Sequence, residues 1–284
     1  MISGLWRDLQ VKFFKSGSPA MLYIGINGLI FIVTSLLGLI MTFAGKKDWV
    51  ALQIQEYFAF PAAIGSLPVK FYTILTYQFF DGDFFHILFN MLWLYWIGQI
   101  FLSFLKPRQF HFVYIGGGIL GAVFFTLISN LAPAYQVSAP SATIIGSSAA
   151  VMAIFTAVTT LVPNYNMRLM FIGDVKLKYL FAVYLVIDIL GTKFDNANAA
   201  GNFSHLGGLI FGLIFIKLLQ NGKDWSTIFK RKPKLKVVKN NAPKKSETNV
   251  NQQEIDRVLD KISKSGYDQL SKEEKEILFK ASKN

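Results

Sequence analysis

The sequence predicts an all-α polytopic membrane protein, a six-transmembrane-helix bundle followed by a short C-terminal helical hairpin. Three observations carry that expectation. Of 284 residues, 52% are hydrophobic and only 16% charged, which is apolar for a water-soluble domain. The apolar residues are gathered into runs approaching the ~20 residues that cross a bilayer. The charged residues collect between and beyond those runs, most densely after Leu219.

Taken in order, residues 1–20 mix Leu5, Trp6, Phe13 and Phe14 with Arg7, Lys12 and Lys15 and read as an interfacial amphipathic segment. Met21 to Phe43 is the first span; its length and its late start argue against a cleaved signal peptide. Lys46 to Gly82 is an aromatic-rich connection broken by Pro61 and Pro68, and is expected to lie in the interface. Phe84–Leu105, Phe110–Ser129 and Ile144–Leu161 follow as spans. Val175–Leu190 is shorter and holds Asp188, which makes it the weakest; Phe203–Leu219 is the last. Between these two, Gly191–Asn202 is rich in Gly, Asn and Ala and is expected to be mobile.

The membrane domain thus covers 21–220, a basic linker 221–250 and a small cytoplasmic helical domain 251–284. In the last, Ile255, Val258, Leu259 and Ile262 share one helix face, Gly266 marks a stop, and Ser271-x-x-Glu274 is a capping box. So small a core is marginal alone, which points to an unidentified cytoplasmic partner for the extension.

The net charge of +12 raises nucleic acid as a partner, but much of the excess sits in the tail and beside the spans. Basic residues there are topology signals and anionic-lipid contacts, so membrane lipids and no nucleic acid are expected. With no cysteine, thiolate nucleophiles, disulfides and Cys-based metal sites are excluded. Arg7, Lys12 and Lys15, the pair Lys106 and Arg108, the group Arg168, Lys176 and Lys178, and the tail all fall on one side if the termini are cytoplasmic. Lys46 and Lys47 oppose this orientation and are outnumbered.

That orientation places three polar residues at one depth. His86 opens the second span, Ser148 the fourth and His205 the sixth, and all three spans start from the outer face. Polar groups at membrane depth are costly unless they face a partner or a wet cavity. His86 and Asn90 share a helix face and both can donate to an oxyanion, although His and Asn also tie membrane helices together. The run Gly146-Ser147-Ser148-Ala149-Ala150 allows close backbone approach, which is also what tight packing alone requires. His205 shares a face with Gly208 and Gly212, a small-residue stripe that can bring the sixth span against the fourth and His205 to Ser148; a packing histidine is the alternative. Serine with histidine is the minimal nucleophilic pair, and a pair without a carboxylate is expected because a buried aspartate is expensive.

His86-x-x-x-Asn90, Gly146-x-Ser148 and His205-x-x-Gly208-x-x-x-Gly212, in that order on outward-starting spans, resemble the rhomboid family of intramembrane serine proteases. The resemblance runs from about Met21 to Leu219. It implies Ser148 as nucleophile, His205 as general base and acid, and His86, Asn90 and the Ser148 amide as the oxyanion site, with no metal and no cofactor. It also implies transmembrane proteins as substrates, Gly191–Asn202 as a cap, and a bacterial form, which with the charge pattern gives an inner membrane with both termini cytoplasmic. Three positions depart from the family pattern: Ala149 stands where glycine is usual, Met152 where an aromatic stacks on the histidine, and Lys70 with Tyr72 where the first connection carries Arg and Trp. A second function stays open, a catalytically inactive rhomboid-like protein that binds or escorts membrane clients. A transporter would need more ionisable groups along one path and paired half-repeats, and neither is visible.

Overall fold

The computed structural model describes residues 7–8, 10–169, 173–190, 199–228 and 252–282. Most of the expected cap (191–198) and most of the expected linker (229–250) therefore lie outside the described residues. The chain divides into two units, Met1–Lys230 and Arg231–Asn284.

In the first unit, prolines and capping side chains set the helix starts. Pro19 opens α1 (Pro19–Phe43), where its missing N–H costs nothing. Only Pro19, Ala20, Tyr23 and Asn27 of α1 are buried, so most of its surface is left for lipid. The first connection forms α2 (Trp49–Tyr57) and the short strand β1 (Phe60–Pro61), then several single helical turns. Lys70 ties it together, donating from Nζ to the Glu56 backbone oxygen (2.7 Å) and to Glu56 Oε1 (2.9 Å). Asp83 caps α3 (Phe84–Phe104) by accepting from the Phe85 amide at 2.8 Å. Pro107 opens α4 (Pro107–Leu131), and the Gln109 side chain accepts from the Lys106 amide.

The fourth expected span departs from the Ile144–Leu161 boundary. Thr143–Ile144 is a strand, β2, paired antiparallel with β1, and Gly146 takes φ +130°. The helix α5 therefore begins at Ser148 and ends at Leu161. Its 14 residues rise only ~21 Å, less than the ~30 Å of hydrocarbon that a full span crosses. Strands β3 (Asn166–Leu169) and β4 (Gly173–Lys176) make a hairpin where a plain connection was expected. It takes the first residues of the fifth expected span, so α6 (Leu177–Leu190) is also 14 residues long. The last helix is α7 (Phe203–Gln220). Among the described residues, α1, α3, α4 and α7 are long and apolar enough to cross a membrane. The fold is an all-α polytopic membrane fold.

Helix α5 is the centre of the unit: every residue from Ser148 to Val158 is buried. One apolar cluster gathers around it, with Leu94 and Ile97 of α3, Phe110 and Tyr114 of α4, Ile154 and Phe155 of α5, and Phe215 of α7. A second cluster beneath the strand pair joins Phe60, Tyr77, Phe125 and Ile144.

The second unit contains α8 (Gln252–Ser265) and α9 (Lys272–Ala281). Gly266 turns the chain at φ +80°. Ser271 Oγ accepts from the Glu274 amide and Glu274 Oε2 from the Ser271 amide, which is the capping box read from sequence. Val258 and Leu270 are its buried apolar residues, and Lys261 pairs with Glu274 at 2.9 Å.

Candidate active site

Packing of α4, α5 and α7 depends on residues with little or no side chain. A Cβ on Gly208 would lie 2.0 Å from the Ala149 carbonyl oxygen, and one on Gly212 2.3 Å from that of Ala153. On α4, a Cβ on Gly117 would meet Ala153 Cβ at 2.3 Å and one on Gly121 would meet Ala149 Cβ at 2.7 Å. Backbones thus approach as only small residues permit. The consequence is a short crossing from α7 to α5 that sets His205 Nε2 2.7 Å from Ser148 Oγ.

The two adjacent serines part ways here. Ser147 Oγ is buried without a hydrogen-bond partner among the described residues, whereas Ser148 faces His205. A cavity of about 240 Å³ opens over this pair, lined by His86, Gly146, Ser148, Asn202 and His205 with Tyr77 at its wall. Gly146 is needed on two counts. Its φ of +130° suits glycine, and a Cβ there would sit 3.0 Å from His86 Cε1 and 3.7 Å from Ser148 Oγ. Tyr77 braces the loop by donating to the Gly118 carbonyl (2.6 Å) while its own carbonyl accepts from the Gly146 amide (3.0 Å).

The expectation of a pair free of carboxylates is corrected. Asp188 Oδ1 of α6 lies 2.6 Å from His205 Nδ1. The burial cost that argued against an acid is reduced because the Asp188 side chain keeps 19% exposure and meets a histidine that can carry charge. The two contacts fall on opposite nitrogens of the ring, so a proton on Nδ1 facing the carboxylate would leave the Nε2 lone pair for the serine hydroxyl.

A second acid also escaped the sequence reading. Asp81, whose side chain is fully buried, holds Oδ1 3.0 Å from His86 Nδ1 and accepts from Asn90 Nδ2 at 3.3 Å. Both expected oxyanion donors are therefore engaged by one carboxylate oxygen. His86 still lines the cavity with its ring; Asn90 does not line it. A signal for both acids was present, since Asp188 lies within an apolar run and Asp81, two residues before Asp83, lies at the edge of another. Asp188 lies two residues before the C-terminal end of α6, and His205 is the third residue of α7, so the reversal between the two helices sets them at one level.

The departures from the family pattern acquire locations. The Ala149 methyl faces Gly121 of α4 and does not line the cavity. Met152 lines a neighbouring apolar cavity of about 320 Å³ between α5, α6 and α7, next to Asp188 and His205. Lys70 closes the first connection onto Glu56 and is not among the lining residues of the cavity over Ser148.

Comparison with known proteins adds three matches along the chain. Residues 244–284 match a family of unknown function. The presenilin-associated rhomboid-like protein, mitochondrial, of Bos taurus is 28% identical over 184 residues, which are 61% of this chain and 44% of that protein. The chain thus spans under half the length of that relative. The rhomboid domain is matched over residues 68–221, more than half of the sequence and the whole of the Ser148–His205 cavity, and the chain belongs to the rhomboid family.

Proposed function

We propose that the protein is an intramembrane serine endopeptidase that cuts peptide bonds in or beside the transmembrane segments of other membrane proteins. The observation that carries the reading is the 2.7 Å hydrogen bond between Ser148 Oγ and His205 Nε2 beneath a cavity lined by polar groups. Ser148 Oγ attacks the scissile carbonyl carbon while its proton passes to His205 Nε2. The carbonyl oxygen becomes an oxyanion, for which the Ser148 amide at the α5 N-terminus and the His86 ring, both at the cavity, are the donors, with Asn90 acting through the Asp81 carboxylate it shares with His86. Collapse breaks the C–N bond, and His205 returns its proton to the leaving amine. Water then attacks the acyl-serine, with His205 again the base, and Ser148 regains its proton.

The substrates are single-pass segments with small, helix-weakening residues near the cut, because an extended peptide must reach the Ser148 cavity. The charge distribution supports cytoplasmic termini with the cavity toward the outer face, and the family resemblance supports a bacterial inner membrane. The mitochondrial label belongs to the bovine relative. The C-terminal unit acts as an adaptor for a cytoplasmic partner, so truncation after Lys239 leaves cleavage in detergent intact.

One observation favours the second reading, a client-binding protein without activity: the Asn90 amide is engaged by Asp81 and does not line the cavity. A fluorophosphonate probe and a model transmembrane substrate separate the two. Wild type and Ser147→Ala are expected to label and cleave, and Ser148→Ala and His205→Ala to do neither. Labelling lost only in Ser147→Ala would overturn the assignment of the nucleophile; a wild type that neither labels nor cleaves would favour client binding.

A further inference from the structure

We propose that Asp188 is a positioning residue that fixes the tautomer and orientation of His205, making the reacting group a line of three side chains instead of two. The inference rests on the endopeptidase reading above. Three helices contribute one member each: Ser148 from α5, His205 from α7 and Asp188 from α6. The two hydrogen bonds fall on opposite nitrogens of one ring, 2.7 Å at Nε2 and 2.6 Å at Nδ1. With the carboxylate ionised, Nδ1 holds the resident proton and Nε2 is the acceptor that Ser148 needs. When Nε2 takes the serine proton, the ring becomes a cation beside the carboxylate; Asp188 takes no proton, and the proton leaves again from Nε2.

The position of the acid also makes this arrangement depend on α6. That helix is anchored at its inner end, where Leu177 is buried and Phe181 and Tyr184 stack near Phe155. Its outer half is open: Val186, Ile187, Ile189 and Leu190 are all exposed. The apolar cavity bounded by Met152, Leu185, Ile189 and Leu206 separates this half from α7. Asp188 crosses beside that cavity to reach His205. Moving the outer end of α6 away from α7 would therefore draw Asp188 off Nδ1 and release the ring.

A merely structural ion pair between α6 and α7 would predict a different ranking of substitutions. Asp188→Asn keeps the shape and a hydrogen bond, so a structural tie would tolerate it better than Asp188→Ala. As a tautomer lock, the asparagine amide donates to Nδ1, forces the proton onto Nε2, and leaves Ser148 facing a donor.

The test uses the full chain in detergent, with steady-state cleavage of a model transmembrane substrate and ¹⁵N spectra of the histidine rings. The chain has 3 histidines, so His86→Gln and His111→Gln assign the His205 signals. Asp188→Asn is expected to lower kcat by roughly 10²–10⁴-fold with KM within about threefold, to be at least as damaging as Asp188→Ala, and to move the ring proton from Nδ1 to Nε2. Asp188→Glu is expected to recover part of kcat and the wild-type tautomer. The inference is overturned if wild-type His205 carries its neutral-form proton on Nε2, if Asp188→Asn leaves the tautomer unchanged, or if Asp188→Asn is clearly milder than Asp188→Ala. A wild type that does not cleave would defeat the endopeptidase reading, while the ring spectra would still decide the role of Asp188.

Discussion

Replacing Gly208 with alanine tests how the site is assembled. The added Cβ would sit 2.0 Å from the Ala149 carbonyl oxygen and 2.9 Å from the carbonyl carbon, both backbone atoms that no rotamer change can move aside. Ordinary contact begins at 3.4 Å, so α7 must retreat from α5 by about 1.4 Å at this level. Gly208 is one turn from His205, so most of that displacement reaches the ring. A Ser148–His205 separation of 2.7 Å would then approach ~4 Å, beyond hydrogen-bond reach. Overpacking of this kind costs ~1–3 kcal/mol in stability, and a misplacement of ~1 Å at a reacting pair can cost ~10²-fold in rate. Gly38 is the control: a Cβ there meets nothing within 4 Å, so Gly38→Ala should leave cleavage unchanged and stabilise α1 by up to ~1 kcal/mol. The assay pairs thermal denaturation in detergent with the cleavage rate of a model transmembrane substrate. If Gly208→Ala melted with the wild type and cleaved at its rate, the close approach of α5 and α7 would not be what holds the site.

Three further outcomes follow from named contacts. Asp81→Ala removes the acceptor shared by His86 Nδ1 and Asn90 Nδ2, and should lower kcat by roughly 10–10²-fold with little change in KM; unaltered kcat would remove Asp81 and its two partners from the oxyanion site. Ala149→Gly should not accelerate cleavage, because the methyl faces Gly121 and not the cavity, and should cost up to ~1 kcal/mol of stability; a large gain in kcat would show that the methyl crowds the oxyanion. Asp224, just past α7, is pulled up by burial, but hydrogen bonds from the Ser226 side chain and amide and the Arg108 guanidinium outweigh this and hold its carboxyl below the usual range. A depressed folded-state value stabilises above the unfolded value, ~3.9, and the benefit is lost as pH falls through the folded one. Asp224→Asn should therefore lower the melting temperature at neutral pH and converge on wild type in strong acid, and a gap that persisted there would assign the effect to packing.

What could be read in the sequence was whatever periodicity and topology control. Alternation of apolar runs with basic connections predicted the membrane fold, and the expected common direction of three spans placed His86, Ser148 and His205 at one depth. Small residues at Gly208 and Gly212 then identified the helix pair that meets. Local competition for the backbone was not legible. The run Ile144–Leu161 is largely apolar, and hydropathy has no term for its first residue, Ile144, pairing with Phe60, or for Gly146 turning the chain. The same holds for β3 and β4, which take the start of an apolar run into a hairpin.

The two acids were missed for a different reason. An aspartate at membrane depth was priced as an isolated charge, which made Asp188 count against its own span and against a carboxylate beside His205. The relevant quantity is the cost of the pair. A carboxylate facing a ring nitrogen at 2.6 Å, with residual exposure, shares charge with a group that must itself become a cation during the proposed reaction. Asp81 obeys the same logic against His86, fully buried but joined to two donors. In both groups each polar residue therefore lowers the cost of burying its partner. Had the rule applied to the histidines been applied to the aspartates, a polar group at depth looking for its partner, both pairs would have been candidates from topology alone.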